Sequence, residues 1–197
     1  MVAGKTSLRL IFDWAHRALF AGAILMLGYC AFVLADIWIF QHQERQRLER
    51  LLNDQRRSAA LSLPATGPDG LIGRIEIRRL GVSVVVVEGG EEPTLRRAAG
   101  HIPGTALPGE RGNVGIAGHR DTFFRPLRNI RHSDVITLTT VRGAFSYRVV
   151  STKVVSPDDV AVLNSDGNEV LTLVTCYPFY FVGAAPGRFI VQAERIR

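Results

Sequence analysis

Three side chains stand where a fold would present chemistry: His119 in "AGHRD", Cys176 in "VTCYP" and Arg188 in "PGRFIV". Each adjoins an apolar run with strand character, and Gly or Pro lies within two residues of each. A thiol attacks as its thiolate, so Cys176 needs a base or a cation beside it. A histidine can carry a proton to a leaving amine. An arginine keeps its charge, which makes it a poor base and a good donor to an oxyanion. Together the three form a set for acyl transfer, with no carboxylate in it. Each residue alone also has a plainer reading, as a buried core thiol, a loop histidine or a surface charge. His16, His42 and His132 keep that reading, and His101 in "GHIPGT" is the one other histidine to watch.

The elements that must hold these residues are short strands. "LIGRIEI" (71–77) alternates at period 2, and "VSVVVVEG" is a β-branched run that ends at Gly89-Gly90. "NVGIAG", "DVITLTT", "AFSYRVVSTKVV", "VLTLVTC" and "RFIVQAERI" read as further strands, while "EEPTLRRAAG" reads as a short helix. Many short strands punctuated by Gly, Pro and Asn-Asp clusters predict an all-β barrel or sandwich. Residues 71–197 are enough for one domain with its own core.

A different piece precedes this domain. After an N-terminal tail (1–17), residues 18–40 are apolar over a length that suffices to cross a bilayer. Asp36 and Trp38 would lie near the interface. A signal peptide would have a shorter apolar core and a small-residue cleavage site, so a retained anchor is expected. Lys5, Arg9 and Arg17 before the span balance Arg45, Arg47 and Arg50 after it, so charge does not set its orientation. Residues 41–62 read as a charged helical stalk with Leu48, Leu51, Leu52 and Ala59 on one side. Residues 63–70, "LPATGPDG", read as a linker.

The chain has 197 residues, 47% hydrophobic and 21% charged, with a formal net charge of +6. These are globular proportions. The excess positive charge is almost all arginine, since Lys5 and Lys153 are the only lysines. No zinc-ligand cluster, basic block or interleaved aromatic face points to nucleic acid, and no compact acidic cluster points to a metal. No cofactor is expected. Of the two cysteines, Cys30 lies inside the apolar span. Cys176 is then the only thiol outside it, which excludes a disulfide within the folded domain and marks a reactive thiol.

Three blocks, "NVGIAGHRDTFFRPLRNI", "LTLVTCYPF" and "GRFIVQAERI", resemble the signature blocks of the sortase family, in order and in spacing. The likeness runs from about Ile72 to Ile196. "RIEIRRLGVSVVVVEG" and "LRRAAGHIPGTALPGERGN" also fit its opening strands and first helix, and "TCYPF" with "APGRFIV" looks most like the class D sortases. The resemblance implies an eight-stranded β-barrel with short helices, behind a transmembrane helix and stalk. It implies a single-pass protein of the cytoplasmic membrane with its catalytic domain on the outer face. It carries the nucleophile to Cys176, the acid/base to His119 and oxyanion or substrate stabilisation to Arg188, with Thr175 and Tyr177 as candidates for substrate contact. Family enzymes cut an LPxTG-like signal between Thr and Gly and pass the acyl group to an amine of the cell envelope or of a pilin. An exported cysteine hydrolase, which delivers the acyl group to water, is the first alternative. A noncatalytic, membrane-tethered β-domain that binds envelope polymer is the second. The "SHGC" type of signature that would indicate an L,D-transpeptidase is absent. Leu63, Pro64, Ala65, Thr66 and Gly67 themselves spell such a signal, and self-recognition competes there with ordinary linker composition.

Overall fold

The computed structural model describes residues 3–57, 70–180 and 183–196. The linker motif at 63–67 lies outside the described residues. The chain divides into two compact units between Phe40 and Gln41. One continuous helix, α1 (Ala3–Arg57), runs through both. Its segment Leu19–Leu51 is long and apolar enough to cross a membrane, with a mean hydropathy of 2.1 over its best window. Leu19, Leu25, Leu27, Phe32 and Leu34 are exposed along it, with nothing in the unit to cover them.

The second unit is a closed barrel of eight strands in the order β1-β2-β3-β4-β7-β8-β6-β5. The strands are β1 (Leu71–Ile77), β2 (Val82–Glu88), β3 (Ala99–His101), β4 (Gly112–Ala117), β5 (Val135–Thr140), β6 (Gly143–Val155), β7 (Glu169–Tyr177) and β8 (Gly187–Ile196). Closure removes the unpaired edges that an open sheet would expose. Two pairings, β2 with β3 and β4 with β7, are parallel, and the others are antiparallel. The interior is filled by alternate residues of the strands, among them Ile75, Ile77, Val84, Val86, Ile116, Leu138, Leu171, Leu173 and Val191.

Seven of the eight strands are the runs read above. The eighth, β3, overlaps the end of the stretch read as a helix (91–100), of which only the four residues of α2 (Glu92–Leu95) are helical. Three residues, Ala-Gly-His, carry no periodicity to read. The strand exists because Gly100 lets the backbone close up. A Cβ there would stand 2.0 Å from the Gly89 carbonyl oxygen, an approach only glycine allows.

The run of valines in β2 has a physical explanation in the stalk. Val84 and Val86 face the barrel interior, whereas Val85 faces out with Leu71 and Val141. Leu48 and Leu51 of α1 cover that outer patch, and Leu48 is 1% exposed. Gln41 Oε1 accepts from the Val85 amide, Gln41 Nε2 donates to the Arg97 carbonyl, and Arg45 donates to the Ser83 carbonyl. Residues 41–51 are therefore part of the folded domain, packed on the outside of β1 and β2.

Candidate active site

Strand parity puts His119, Cys176 and Arg188 on one outer face. Successive side chains of a strand point to opposite faces. In β7, Leu171 and Leu173 fill the barrel and Thr175 is buried with them, so Val170, Thr172, Val174 and Cys176 point outward. Arg188 is the direct antiparallel partner of Cys176 across β7 and β8 and shares its face. On the other side of β7, Ala117 pairs in parallel with Val174. His119 and Cys176 each lie two residues beyond that pair, so they are in register on neighbouring strands. The outward parity of this ladder is confirmed lower down, where the Thr172 hydroxyl donates to Asn113 Oδ1 at 2.8 Å. The cysteine thus stands between the arginine of β8 and the histidine that follows the end of β4. Its thiol is half-buried and free.

Small residues fix this register. The Gly118 amide donates to the Val174 carbonyl at 3.0 Å, which prolongs the β4–β7 ladder past the last pair. The Thr175 hydroxyl donates to the Gly118 carbonyl at 2.7 Å from a position only 2% exposed. Gly118 also lies against the ring of Phe124, which is wholly buried; a Cβ at 118 would meet that ring at 2.6 Å. Thr175 therefore faces inward and ties the histidine's strand to the cysteine's. Tyr177 turns to the mouth of the barrel in an aromatic group with Phe179 and Phe189, with ring centroids 6.1 and 6.3 Å away.

Arg120 is a residue that spacing did not single out. Its side chain is 8% exposed. One guanidinium nitrogen donates to the Pro178 carbonyl at 3.1 Å and another to the Gly183 carbonyl at 3.0 Å. It thus links the residue after His119 to both arms of the β7–β8 connection, which carries the chain from Cys176 to Arg188. Arg188 itself donates to the carbonyls of Ala185 and Gly187, at 3.4 and 3.1 Å. A second missed residue is Glu92 of α2, whose Oε2 lies 3.7 Å from His119 Nε2. It is 27 residues upstream of the histidine (119 − 92), and no sequence motif connects the two.

His101 has the outline of a second catalytic triad. Its Nδ1 is 2.9 Å from Glu88 Oε2 and its Nε2 is 3.0 Å from Thr105 Oγ1. Proton counting rules out a nucleophilic threonine. The Thr105 hydroxyl gives its one proton to the Ile102 carbonyl at 2.7 Å and accepts from the Gly115 amide. It can then only accept from His101 Nε2, which also faces the Ala106 carbonyl. The group fastens residues 102–106 to the barrel. An open polar cavity of about 520 Å³, lined by Arg111, Asp166, Asn168, Glu169, Glu194 and Arg195, lies at the opposite ends of β7 and β8 from Cys176. Among the described residues no group of three or more His, Cys, Asp or Glu could hold a metal ion.

The arrangement suits nucleophilic acyl transfer, and the wider comparison agrees. The sortase domain model matches residues 75–196, most of the barrel and all three of these side chains. The chain belongs to the sortase family. This sortase is 35% identical over 144 residues to Sortase D of Bacillus subtilis (strain 168), a match covering 73% of this chain and 72% of that one. It is 29% identical over 112 residues to Sortase A of Listeria monocytogenes, covering 55% and 50%. Among solved structures, a Clostridium perfringens Sortase D5 transpeptidase has 31% identity and a TM-score of 0.61, covering 76% of this sortase and 98% of that chain. Sortase C2 of Group B Streptococcus Pilus Island 1 has 25% identity and a TM-score of 0.63, covering 77% and 97%. This sortase is an enzyme, a cysteine transpeptidase built on the family's eight-stranded barrel.

Proposed function

We propose that this sortase cleaves an LPxTG-like sorting signal between Thr and Gly and transfers the new carboxyl end to an amine of the cell envelope or of a pilin. The observation that carries the reading is the pairing of Cys176 on β7 with Arg188 on β8, with His119 two residues past the last β4–β7 pair, as Cys176 is. The Cys176 thiolate attacks the threonine carbonyl carbon. Arg188, fixed in charge, donates to the oxyanion that develops. The C–N bond to glycine then breaks, and His119 gives its proton to the departing amine. A thioester remains on Cys176. An amine nucleophile attacks that thioester, His119 takes up its proton, and the thiolate leaves as the new amide forms. No metal or cofactor enters these steps.

The helix at residues 18–40 acts as a single-pass anchor in the cytoplasmic membrane, with the barrel on its outer side. The apolar, uncovered surface of that segment supports its role as an anchor. The test is product analysis with full-length protein in detergent. LPxTG-type peptide is supplied with and without an added amine. Amide product that grows with amine and vanishes in Cys176→Ala supports transpeptidation. Free acid at an unchanged rate whatever the amine would make the protein a hydrolase. No turnover of any peptide would return it to an envelope-binding role.

A further inference from the structure

The site as read from sequence contains no carboxylate, yet the structure brings one to the histidine. Glu92 Oε2 stands 3.7 Å from His119 Nε2, and the other oxygen, Oε1, stands 3.2 Å from Arg96 Nε. At 3.7 Å the contact with the imidazole is electrostatic and not a hydrogen bond. The helix that carries Glu92, α2, packs Leu95 on Gly100, and the chain on either side of it is held by the Gly89 amide to the His101 carbonyl and by Gln41 to the Arg97 carbonyl. Arg96, four residues on, is at the right spacing to orient a glutamate on the same helical turn.

We infer that Glu92 is a positioning residue for the acyl transfer: its carboxylate stabilises the imidazolium form of His119 that must protonate the leaving amine. The inference rests on the sortase mechanism proposed above. The charged and titratable groups around His119 are few. Cys176 lies on β7 and Arg188 beyond it on β8. Arg120, next in the chain, is committed to the Pro178 and Gly183 carbonyls and lies 3.6 Å from Asp121. Asp121 is thereby matched to an arginine, whereas Glu92 faces both Arg96 and the histidine. A carboxylate beside the imidazole favours the thiolate–imidazolium pair over the neutral pair.

The side chains of Glu92 and His119 are 61% and 30% exposed, so water screens the interaction. Pairs of this kind are worth a few tenths to about 1 kcal/mol, which corresponds to a two- to fivefold change in rate at about 1.4 kcal/mol per tenfold.

The experiment uses the full chain in detergent and an LPxTG-type peptide with an amine acceptor. Wild type, Glu92→Gln, Glu92→Asp and Cys176→Ala are compared across pH. Glu92→Gln should lower kcat about two- to fivefold with KM unchanged. It should also draw the alkaline limb of the rate profile to lower pH, because the imidazolium has lost its counter-charge. Glu92→Asp should recover the limb in part, and added salt should shrink the difference between wild type and Glu92→Gln. A role in holding α2 alone would lower the whole profile without moving its limbs, and that result overturns the inference. So does a Glu92→Gln profile that superimposes on wild type. If wild type forms no Cys176-dependent product at all, the transpeptidase reading itself fails, and Glu92 loses its role with it. The rate at which Cys176 alone is alkylated, read by mass spectrometry of its peptide, checks the same charge coupling without any peptide substrate. A slower reaction in Glu92→Gln at neutral pH supports the inference, and an equal rate opposes it.

Discussion

Gly118→Ala is the perturbation that most directly links the packing of this barrel to its chemistry. A Cβ at 118 would lie 2.6–2.8 Å from three atoms of the Phe124 ring. Ordinary contact begins near 3.4 Å, so about 0.8 Å must be found. The ring has no exposed surface into which it can swing. The Phe124 amide is also bonded to the His119 carbonyl, and its carbonyl to the Leu127 amide. The strain therefore falls on the Gly118–His119 backbone, the segment that sets the histidine against Cys176. Overpacking of this kind costs about 1–3 kcal/mol, which would lower Tm by roughly 3–10 °C in a domain of this size. Displacement of a reacting group by about 1 Å can cost ~10²-fold in rate. Gly118→Ala should thus lose about 10- to 100-fold in kcat with a smaller change in KM. Gly90→Ala, where nothing lies within 4 Å, should behave as wild type. Trimming the ring in Gly118→Ala/Phe124→Leu should recover part of the rate. Steady-state kinetics on an LPxTG-type peptide, with thermal unfolding of the same samples, measure both effects. Wild-type kcat and Tm in Gly118→Ala would refute the reasoning.

Thr175→Val keeps the shape of the side chain but leaves the buried Gly118 carbonyl without its hydroxyl donor. It should cost about 1–3 kcal/mol of stability by denaturant titration, and it should slow turnover. Leu48→Ala opens a hole between the stalk and Leu71, Val85 and Val141; a loss of about 2–3 kcal/mol is expected. For the same reason, a truncation beginning at residue 41 should be more stable than one beginning at residue 61. Asp134 accepts two hydrogen bonds from Arg79 and one from the Arg131 amide. The Arg79 bonds hold its carboxyl below the usual carboxylate range, against the opposing effect of burial and with help from the Arg131 amide. A lowered folded-state value contributes stability above the unfolded value of ~3.9, and that stability is lost as pH falls through the folded value. Asp134→Asn should therefore be less stable than wild type at neutral pH, and the gap should close on acidification below about pH 4.

Much of the barrel was legible because its strands are long enough to show a period. "LIGRIEI" became β1 with the bounds read from its alternation, and "VLTLVTC" became the core of β7. β3 was not legible, since its identity rests on a backbone approach at Gly100 that three residues cannot advertise. The valine run of β2 read as a β-branched strand, but nothing in it showed that the stalk would cover its outer face. Of the candidate site, His119, Cys176 and Arg188 were marked by strand ends and by family blocks; Arg188 pairs with Cys176, and His119 follows two residues after the last β4–β7 pair. Glu92 and Arg120 were not. Their significance lies in what they reach across space: an imidazole 27 positions away, and two carbonyls of a distant loop. A charged residue on a short helix and another in "HRD" carry no local pattern, and their partners meet them only in the folded chain.

The central claim is that Cys176 carries the acyl group between peptide and amine. Intact and peptide-level mass spectrometry of the full chain, incubated with a library of LPxTx peptides without acceptor amine, tests it most directly. The account predicts a thioester adduct on Cys176 whose mass is that of the peptide cut after threonine. The adduct should be absent in Cys176→Ala and discharged on addition of amine to give the amide. An adduct that persists in Cys176→Ala, or peptide cleavage that proceeds with no adduct on Cys176 at any time, would contradict it.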